Sequence, residues 1–294
     1  MPKIVCLGSL NLDHVYRLDH FVRPGETQGS EHYSVGCGGK GLNQSVALAR
    51  AGAEVMHAGR IGREGGMLRD ALEKAGVDVS LVVEGDVPTG HAIIQVDRKG
   101  ENAIILYGGA NRSISEAEID AALDAVGDGI LLLQNEINSI DLVLHKAHDR
   151  GIRTAFNFAP FDPQAAETLP LELLSYLIVN EIEGAGVAGV DAPEAILRTL
   201  KKKYPKCRVI LTLGKAGAAF LGDDGEMTSI PPFPAKVVDT TSAGDTFIGY
   251  LFAGLLEGMT LRDAMTLASR ASAITVSRAG AADSIPFRRE LNSY

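Results

Sequence analysis

Short apolar runs that stop at a glycine or a small polar residue recur along this chain, and stretches with helical spacing lie between them. Residues 4–7 form the first run, which ends at Gly8 and Ser9. A continuous apolar run of that length, bounded by turn residues, is the pattern of a strand buried on both faces. Helical spacing follows over 42–51 and stops at Gly52; a strand pattern covers 55–58, and a second helix over 68–75 closes at Gly76. The alternation resumes with a strand at 130–133, a helix over 142–148 ended by Gly151, and strands at 176–179 and 209–213 separated by a helix that Pro193 starts. Ser115 and Glu118 have capping-box spacing. Two long helical stretches, 246–257 and 261–275, come last, with Gly258 stopping the first and Thr260 capping the second. Such alternation predicts an α/β fold, a mostly parallel sheet covered by helices, with ligands at loops beyond the carboxyl ends of the strands.

Two segments depart from the alternation. Between Thr89 and Tyr107, "GHAIIQV", "DRKG" and "ENAIILY" read as a hairpin with no helix between its strands, and "FLGDDGEMTSI" reads as a second. The first looks like an insertion. At 294 residues and 46% hydrophobic, the chain can bury a large core in one big domain or two small ones. A net charge of −9 argues against a nucleic-acid partner, and Lys201, Lys202 and Lys203 read as a solvated helix face. Three widely spaced cysteines, Cys6, Cys37 and Cys207, point to neither a disulfide framework nor a zinc site, and no histidine pair has metal-binding spacing. The apolar run after Lys3 is too short for a signal peptide and no segment approaches a membrane span, so a cytoplasmic location with no membrane partner is expected.

In "GCGGKGLNQS", Gly36, Gly38 and Gly41 satisfy the dinucleotide pattern G-x-G-x-x-G, yet the upstream "SEHYSV" is no buried strand and no strand-end carboxylate follows about twenty residues on. Lys40 is followed by Gly41, so this is not a P-loop either. A flexible turn with a helix start explains the segment; Lys40 and Asn43 beside glycines that admit a ligand closely fit a polyol site better. Asn11 and Asp13, placed on the loop after the first strand, can bond several hydroxyls or simply form a turn, and Glu136 after "ILLLQ" is a third such candidate. Thr212, Gly214 and Gly217 would let an adenine or phosphate lie against backbone, or make a hairpin turn. Asn180 and Glu183 either organise water around a divalent cation or are a capping Asn with a surface Glu. Most telling is "KVVDTTSAGDTFIGYLFAGLLEG", where Ser242, Ala243 and Gly244 lead into a helix whose free amides attract anions, yet Asp245 occupies that same spot. If a hydroxyl approached a phosphate held on the Ala243 and Gly244 amides, Asp245 would take its proton as general base.

Together "GSLNLDH", "GCGGKGLNQS", "VNEIE", "TLGKAG" and "DTTSAGDTF" stand in the order and spacing of the ribokinase (PfkB-type) sugar kinases, and "GENAIILYGGAN", Glu136 and the "NFAP" at Asn157 to Pro160 are also similar to what that family carries. The resemblance covers essentially the whole chain. It implies one ribokinase-like three-layer α/β domain over 1–294 with a small β-sheet lid built from about 10–37 and 88–110, and a homodimer joined through the lids. It also implies ATP with Mg2+ as donor and the primary hydroxyl of a small sugar, D-ribose first, as acceptor. Asn11, Asp13, Gly39, Lys40, Asn43 and Glu136 would hold the sugar with Asp245, the base. Asn180, Thr212, Gly214, Gly217, Gly244 and Ser269 would contact ATP, with Glu183 organising Mg2+ through water. A monovalent activator, K+, would sit among oxygens of Asp239, Thr241, Thr275, Arg278, Gly280 and Ser284. Two positions depart from the family: Ser242 replaces a common Gly, and Cys37 replaces a bulkier apolar residue, which points to an altered contact beside the sugar. The alternatives are a nucleoside, pseudouridine or other sugar kinase and, outside that class, an NAD-dependent oxidoreductase or a sugar-binding protein without catalysis.

Overall fold

The computed structural model describes residues 3–222 and 224–293. Among them a nine-stranded sheet runs through β1 (Ile4–Leu7), β4 (Val55–Gly62), β5 (Asp78–Gly85), β8 (Ile130–Gln134), β9 (Arg153–Asn157), β10 (Tyr176–Asn180), β11 (Arg208–Thr212), β12 (Ala218–Leu221) and β13 (Met227–Ile230). Its spatial order is β13-β12-β11-β10-β9-β8-β1-β4-β5. Every pairing from β11 to β5 is parallel, while β12 runs antiparallel to both of its neighbours. The short apolar runs are therefore interior strands: all residues of β1 and β8 are buried.

Successive residues of β1 feed different cores. Ile4 and Cys6 pack with α1 (Lys40–Arg50), α2 (Gly66–Lys74), α8 (Ala243–Leu256) and α9 (Leu261–Thr275). Val5 and Leu7 pack on the other side with α3 (Glu116–Val126), α4 (Ile140–Asp149), α6 (Glu181–Ala188) and α7 (Pro193–Lys203), beside the short α5 (Pro163–Thr168). Helix, sheet, helix is the three-layer arrangement that the alternation predicts.

A second sheet, β3-β2-β6-β7, stands apart from the first and comprises β2 (Asn11–Arg17), β3 (His32–Gly38), β6 (Gly90–Val96) and β7 (Asn102–Tyr107). Here the structure corrects the sequence reading: Asn11 and Asp13 do not ride on a loop but are the first and third residues of β2, paired with Gly38 and Gly36 on one side and Gly90 and Ala92 on the other. The β2–β6 pairing is parallel and joins segments nearly eighty residues apart, which local pattern cannot reveal. Both predicted hairpins form, β6–β7 and β12–β13, although Asp223 in the second lies outside the described residues. Among the elements without a counterpart in the prediction are β9 and α6. The strand β9 is short, and α6 contains Gly184 and Gly186, residues that weaken a helix. What holds α6 is a complete capping box between Asn180 and Glu183, and a Phe161 ring seated where a Cβ on Gly186 would lie.

Helix α1 crosses α8 at close range. A Cβ on Gly249 would meet the Cβ of Ala47 and come within 2.8 Å of the Leu48 amide nitrogen. Gly249 lies one turn after Asp245 and Ala47 one turn after Asn43, so this crossing sets how near those two side chains come. Gly249→Val should therefore lower stability by about 1–3 kcal/mol through overpacking, read as a drop in the urea unfolding midpoint. An unchanged midpoint would show that the helices part freely.

Candidate active site

Helix α8 starts with an exposed row of backbone donors. The amide nitrogens of Gly244 and Asp245 have no acceptor among the described residues, and that of Ala243 reaches only Thr240 O at 3.3 Å. Ser242 precedes them in the left-handed conformation, φ 59° and ψ 9°, where a Gly would sit without strain and a Ser costs about 1–2 kcal/mol. Its hydroxyl caps no amide and is buried without a partner. Asp245 is 8% exposed. Its Oδ2 accepts from Asn43 Nδ2 at 3.1 Å and its Oδ1 from Gln44 Nε2 at 2.9 Å, so two neutral amides of α1 fix the carboxylate.

The loop after β1 and the start of α1 form the opposite wall. Glu136, beyond the end of β8, accepts from the Lys40 amide at 3.0 Å and from the Ser9 hydroxyl, which itself accepts from the Gly41 amide at 3.2 Å. Gly39 makes this possible: its φ is 94°, and a Cβ there would lie 2.9 Å from Ser9 O and 3.0 Å from Asn11 N. Asn11 keeps its amide group free because its Oδ1 accepts from Asn111 Nδ2 at 2.7 Å, while Asn111 in turn bonds both backbone groups of Leu10. Burial and the nearby Glu136 charge push the Asp13 carboxyl up to about 6. Burial pulls the Lys40 ammonium down, but the carboxylates of Asp245, Glu136 and Glu183 outweigh it and hold the group above its ordinary value. One ammonium thus faces three acids drawn from three elements.

On the far side of Lys40, the predicted nucleotide residues ring the ends of β10 and β11. Asn180 caps α6, as a structural role requires, but Glu183 is buried rather than on the surface; its oxygens accept from the Asn180 amide at 2.8 Å and side chain at 2.9 Å. Burial raises the Glu183 carboxyl. Thr212 ends β11, and Gly214 and Gly217 form the turn into β12. Ser269 donates to Pro231 O at 3.1 Å and so ties α9 to the segment after β13. Asp239 bridges two loops, accepting from Thr241 N at 2.9 Å, Thr241 Oγ1 at 2.6 Å and Gly280 N at 3.0 Å; these bonds outweigh its burial and lower its carboxyl. The Thr275 and Ser284 hydroxyls donate to Ala271 O and Ala281 O.

As the sequence reading expects, Gly36 and Gly38 belong to strand β3, which is mostly exposed, and Gly41 to α1, so the apparent dinucleotide pattern spans no buried strand, turn and helix unit. The expected contact of Cys37 beside the sugar is corrected. Cys37 pairs with Leu12 and bonds Met67 O, so it shares the face of Leu12 and not that of Asn11 and Asp13. Ser9, Gln44, Asn111 and Gln134 escaped the sequence reading; the signal present is a fully buried amide inside an apolar stretch, as at Gln44. A cavity of about 270 Å³ lies elsewhere, lined by Leu197, Lys201, Cys207 and Phe220, and none of the site residues borders it.

Residues 1–288 match the sequence profile described as pfkB family carbohydrate kinase. The chain is 34% identical over 300 residues to ribokinase of Haemophilus influenzae, covering 98% of this chain and 96% of that one. It is 36% identical to a bifunctional ribokinase/ribose-5-phosphate isomerase A of Fructilactobacillus sanfranciscensis, and there spans just over half the relative's length, 56%. Among solved structures, ribokinase of Cryptococcus neoformans var. grubii in complex with ADP superposes with TM-score 0.89 at 33% identity, covering 100% of this chain and 99% of that one. Arabidopsis thaliana ribokinase complexed with ribose and ATP gives 0.87 at 27% identity, covering 99% and 98%.

The raised Asp13 pKa has a stability consequence. An acid whose folded pKa of about 6 exceeds its ordinary value of 3.8 holds its proton longer in the folded state, so ionising it weakens the fold as pH rises between those values. Asp13→Asn, which cannot ionise, should gain stability relative to wild type as pH climbs from 4 to 7, about the span of that shift. Urea unfolding at each pH checks this, and a constant difference across the range would contradict it.

Proposed function

From the premise that this chain belongs to the pfkB family of carbohydrate kinases, we propose that it transfers the γ-phosphoryl group of ATP to the primary hydroxyl of D-ribose, with Asp245 as general base. The observation that carries this is the placement of one buried carboxylate, fixed by two amide donors, at a helix start where the Gly244 and Asp245 amides lack acceptors among the described residues. In the reaction the ribose C5 oxygen attacks the γ-phosphorus in line. A new P–O bond forms, the bond to the bridging oxygen breaks, and ADP leaves with that electron pair. Asp245 takes the hydroxyl proton, while the amides of Ala243 and Gly244 face the charge that develops.

Asn11, Asp13, Gly39, Lys40, Asn43 and Glu136 hold the sugar hydroxyls in this reading; the free Asn11 amide and the partnerless, buried Asn43 Oδ1 support it. Asn180, Thr212, Gly214, Gly217, Gly244 and Ser269 line the nucleotide side. Bound Mg2+ would neutralise charge on the β- and γ-phosphate oxygens. Glu183 fits as the organiser of its water shell, since each carboxylate oxygen accepts one N–H and keeps a lone pair. Residues 1–294 act as one unit, with the second sheet as lid over the acceptor. Free thiols at Cys6, Cys37 and Cys207 and the need for ATP support a cytoplasmic location.

Two finer features belong to the same proposal. K+ beside the anion-binding amides is supported by the ionised Asp239 between the 238–241 and 275–284 segments. A homodimer through the second sheet is supported by the apolar side chains that β7 leaves open, Ile104 at 56% and Ile105 at 62% exposure.

Ribose-dependent ADP release, ranked against deoxyribose, fructose and nucleosides, tests the activity; release equal without sugar would sink it. Asp245→Asn should cut turnover by about 10²–10⁴ while costing about 1–3 kcal/mol of stability from the two mispaired donors. Near-wild-type turnover would remove Asp245 from the base role. Replacing potassium buffer by sodium should lower activity, and equal rates count against the cation site. Ile105→Asp should shift the mass in light scattering from twice 31.1 kDa to one copy, whereas a wild type already at one copy excludes the dimer.

A further inference from the structure

Resting on that reading and going beyond it, we propose that Gln44 is the positioning residue of the base: it holds Asp245 Oδ1 so that Oδ2 alone receives the acceptor's proton. Gln44 is fully buried, so it touches neither solvent nor substrate directly. Its side-chain nitrogen has two hydrogens and both are used, one on Asp245 Oδ1 at 2.9 Å and the other on Asn157 Oδ1 at 3.1 Å. Its oxygen accepts from Gln134 Nε2 at 2.8 Å. A flipped amide would set its oxygen against the Asp245 carboxylate and the Asn157 carbonyl, and its NH2 against the NH2 of Gln134. The Asp245 carboxylate, which can only accept, therefore fixes the orientation, and the Asn157 and Gln134 contacts agree with it.

The supports of this amide come from strand ends. Gln134 closes β8 and Asn157 closes β9, whose side chain also reaches Ile178 O of β10 at 3.4 Å. The carboxylate on α8 is thereby referenced to three interior strands through one side chain of α1. Oδ2 has a different environment: its one donor is Asn43 Nδ2 at 3.1 Å, and the Asn43 oxygen next to it is buried without a partner. With one protein donor, Oδ2 keeps a lone pair to which an acceptor hydroxyl donates its single hydrogen. As the hydroxyl oxygen bonds phosphorus, its proton passes to Oδ2 and the electron pair of the old P–O bond leaves with ADP. The Gln44 bond to Oδ1 is unchanged throughout.

Gln44→Leu removes the amide at similar volume. Turnover should fall about 10- to 100-fold, the scale of a misaligned base, with the KM for ribose within about 3-fold because Gln44 does not bind the sugar. The deciding measurement is the pair with Asp245→Asn. If Gln44 acts through Asp245, the double variant should be no slower than Asp245→Asn alone. Full additivity of the two losses overturns the proposal, as does near-wild-type turnover in folded Gln44→Leu. Near-wild-type turnover in Asp245→Asn alone overturns the base assignment itself, so the two failures are separately visible. Should Gln44→Leu fold poorly, Gln44→Glu supplies the second test. Two carboxyls at that separation cannot both ionise freely, so the pH profile of kcat/KM should gain a titration that wild type lacks. A profile superimposable on wild type would contradict the contact.

Discussion

The approach of α1 to α8 is the constraint on which the site depends. Without side-chain bulk at Gly249 and with only a methyl at Ala47, the two helices meet at backbone distance. One turn up, that spacing lets the short Asn43 amide and the longer Gln44 amide both reach a single carboxylate. A larger residue in the crossing would lengthen both bonds, and hydrogen bonds of this kind weaken steeply once stretched. Packing in the apolar core and alignment of the polar centre are therefore one variable rather than two.

Electrostatically the centre is unusual for its shortage of cations. Glu136, Glu183 and Asp245 lie around one ammonium, Lys40, with Asp13 close to Glu136, and the surface ion pairs of the molecule lie elsewhere. Ionised groups out of water need partners. Here most of those partners are neutral dipoles: the Asn43 and Gln44 amides, the Lys40 backbone N–H, the Asn180 cap. Such donors satisfy a carboxylate without cancelling its charge, so Asp245 remains an acceptor. The raised Asp13 carboxyl, on β2, marks where this compensation is thinnest.

Much of the main sheet was legible because its strands are continuous apolar runs closed by glycine, and because caps such as Ser115 with Glu118 and Thr260 with Asp263 are local chemistry. The helix carrying Asp245 was legible for the same reason. The second sheet was less so. Asn11 and Asp13 follow so closely on β1 that they read as a turn, and pairing with Gly38 and Gly36 on one side and the distant Gly90 and Ala92 on the other makes the segment a strand. Helix α6 hid behind its glycines, since tertiary contact with Phe161 replaces the propensity it lacks. The amide chain through Gln134, Gln44 and Asn157 was invisible because its members come from three elements, and a buried glutamine leaves no periodic trace.

The partition of the molecule into two sheets bears on how such a protein changes over evolutionary time. Of the groups proposed to hold the acceptor, Asn11 and Asp13 stand on β2 in the small sheet, whereas Lys40, Asn43 and Glu136 belong with the carboxylate centre wired into helices and interior strands. Drift in the small sheet can retune which molecule is admitted while the phosphoryl-handling apparatus stays intact. New selectivities are thus open to single substitutions there, and the catalytic interior, where each amide answers to several others, is the part that must be inherited whole.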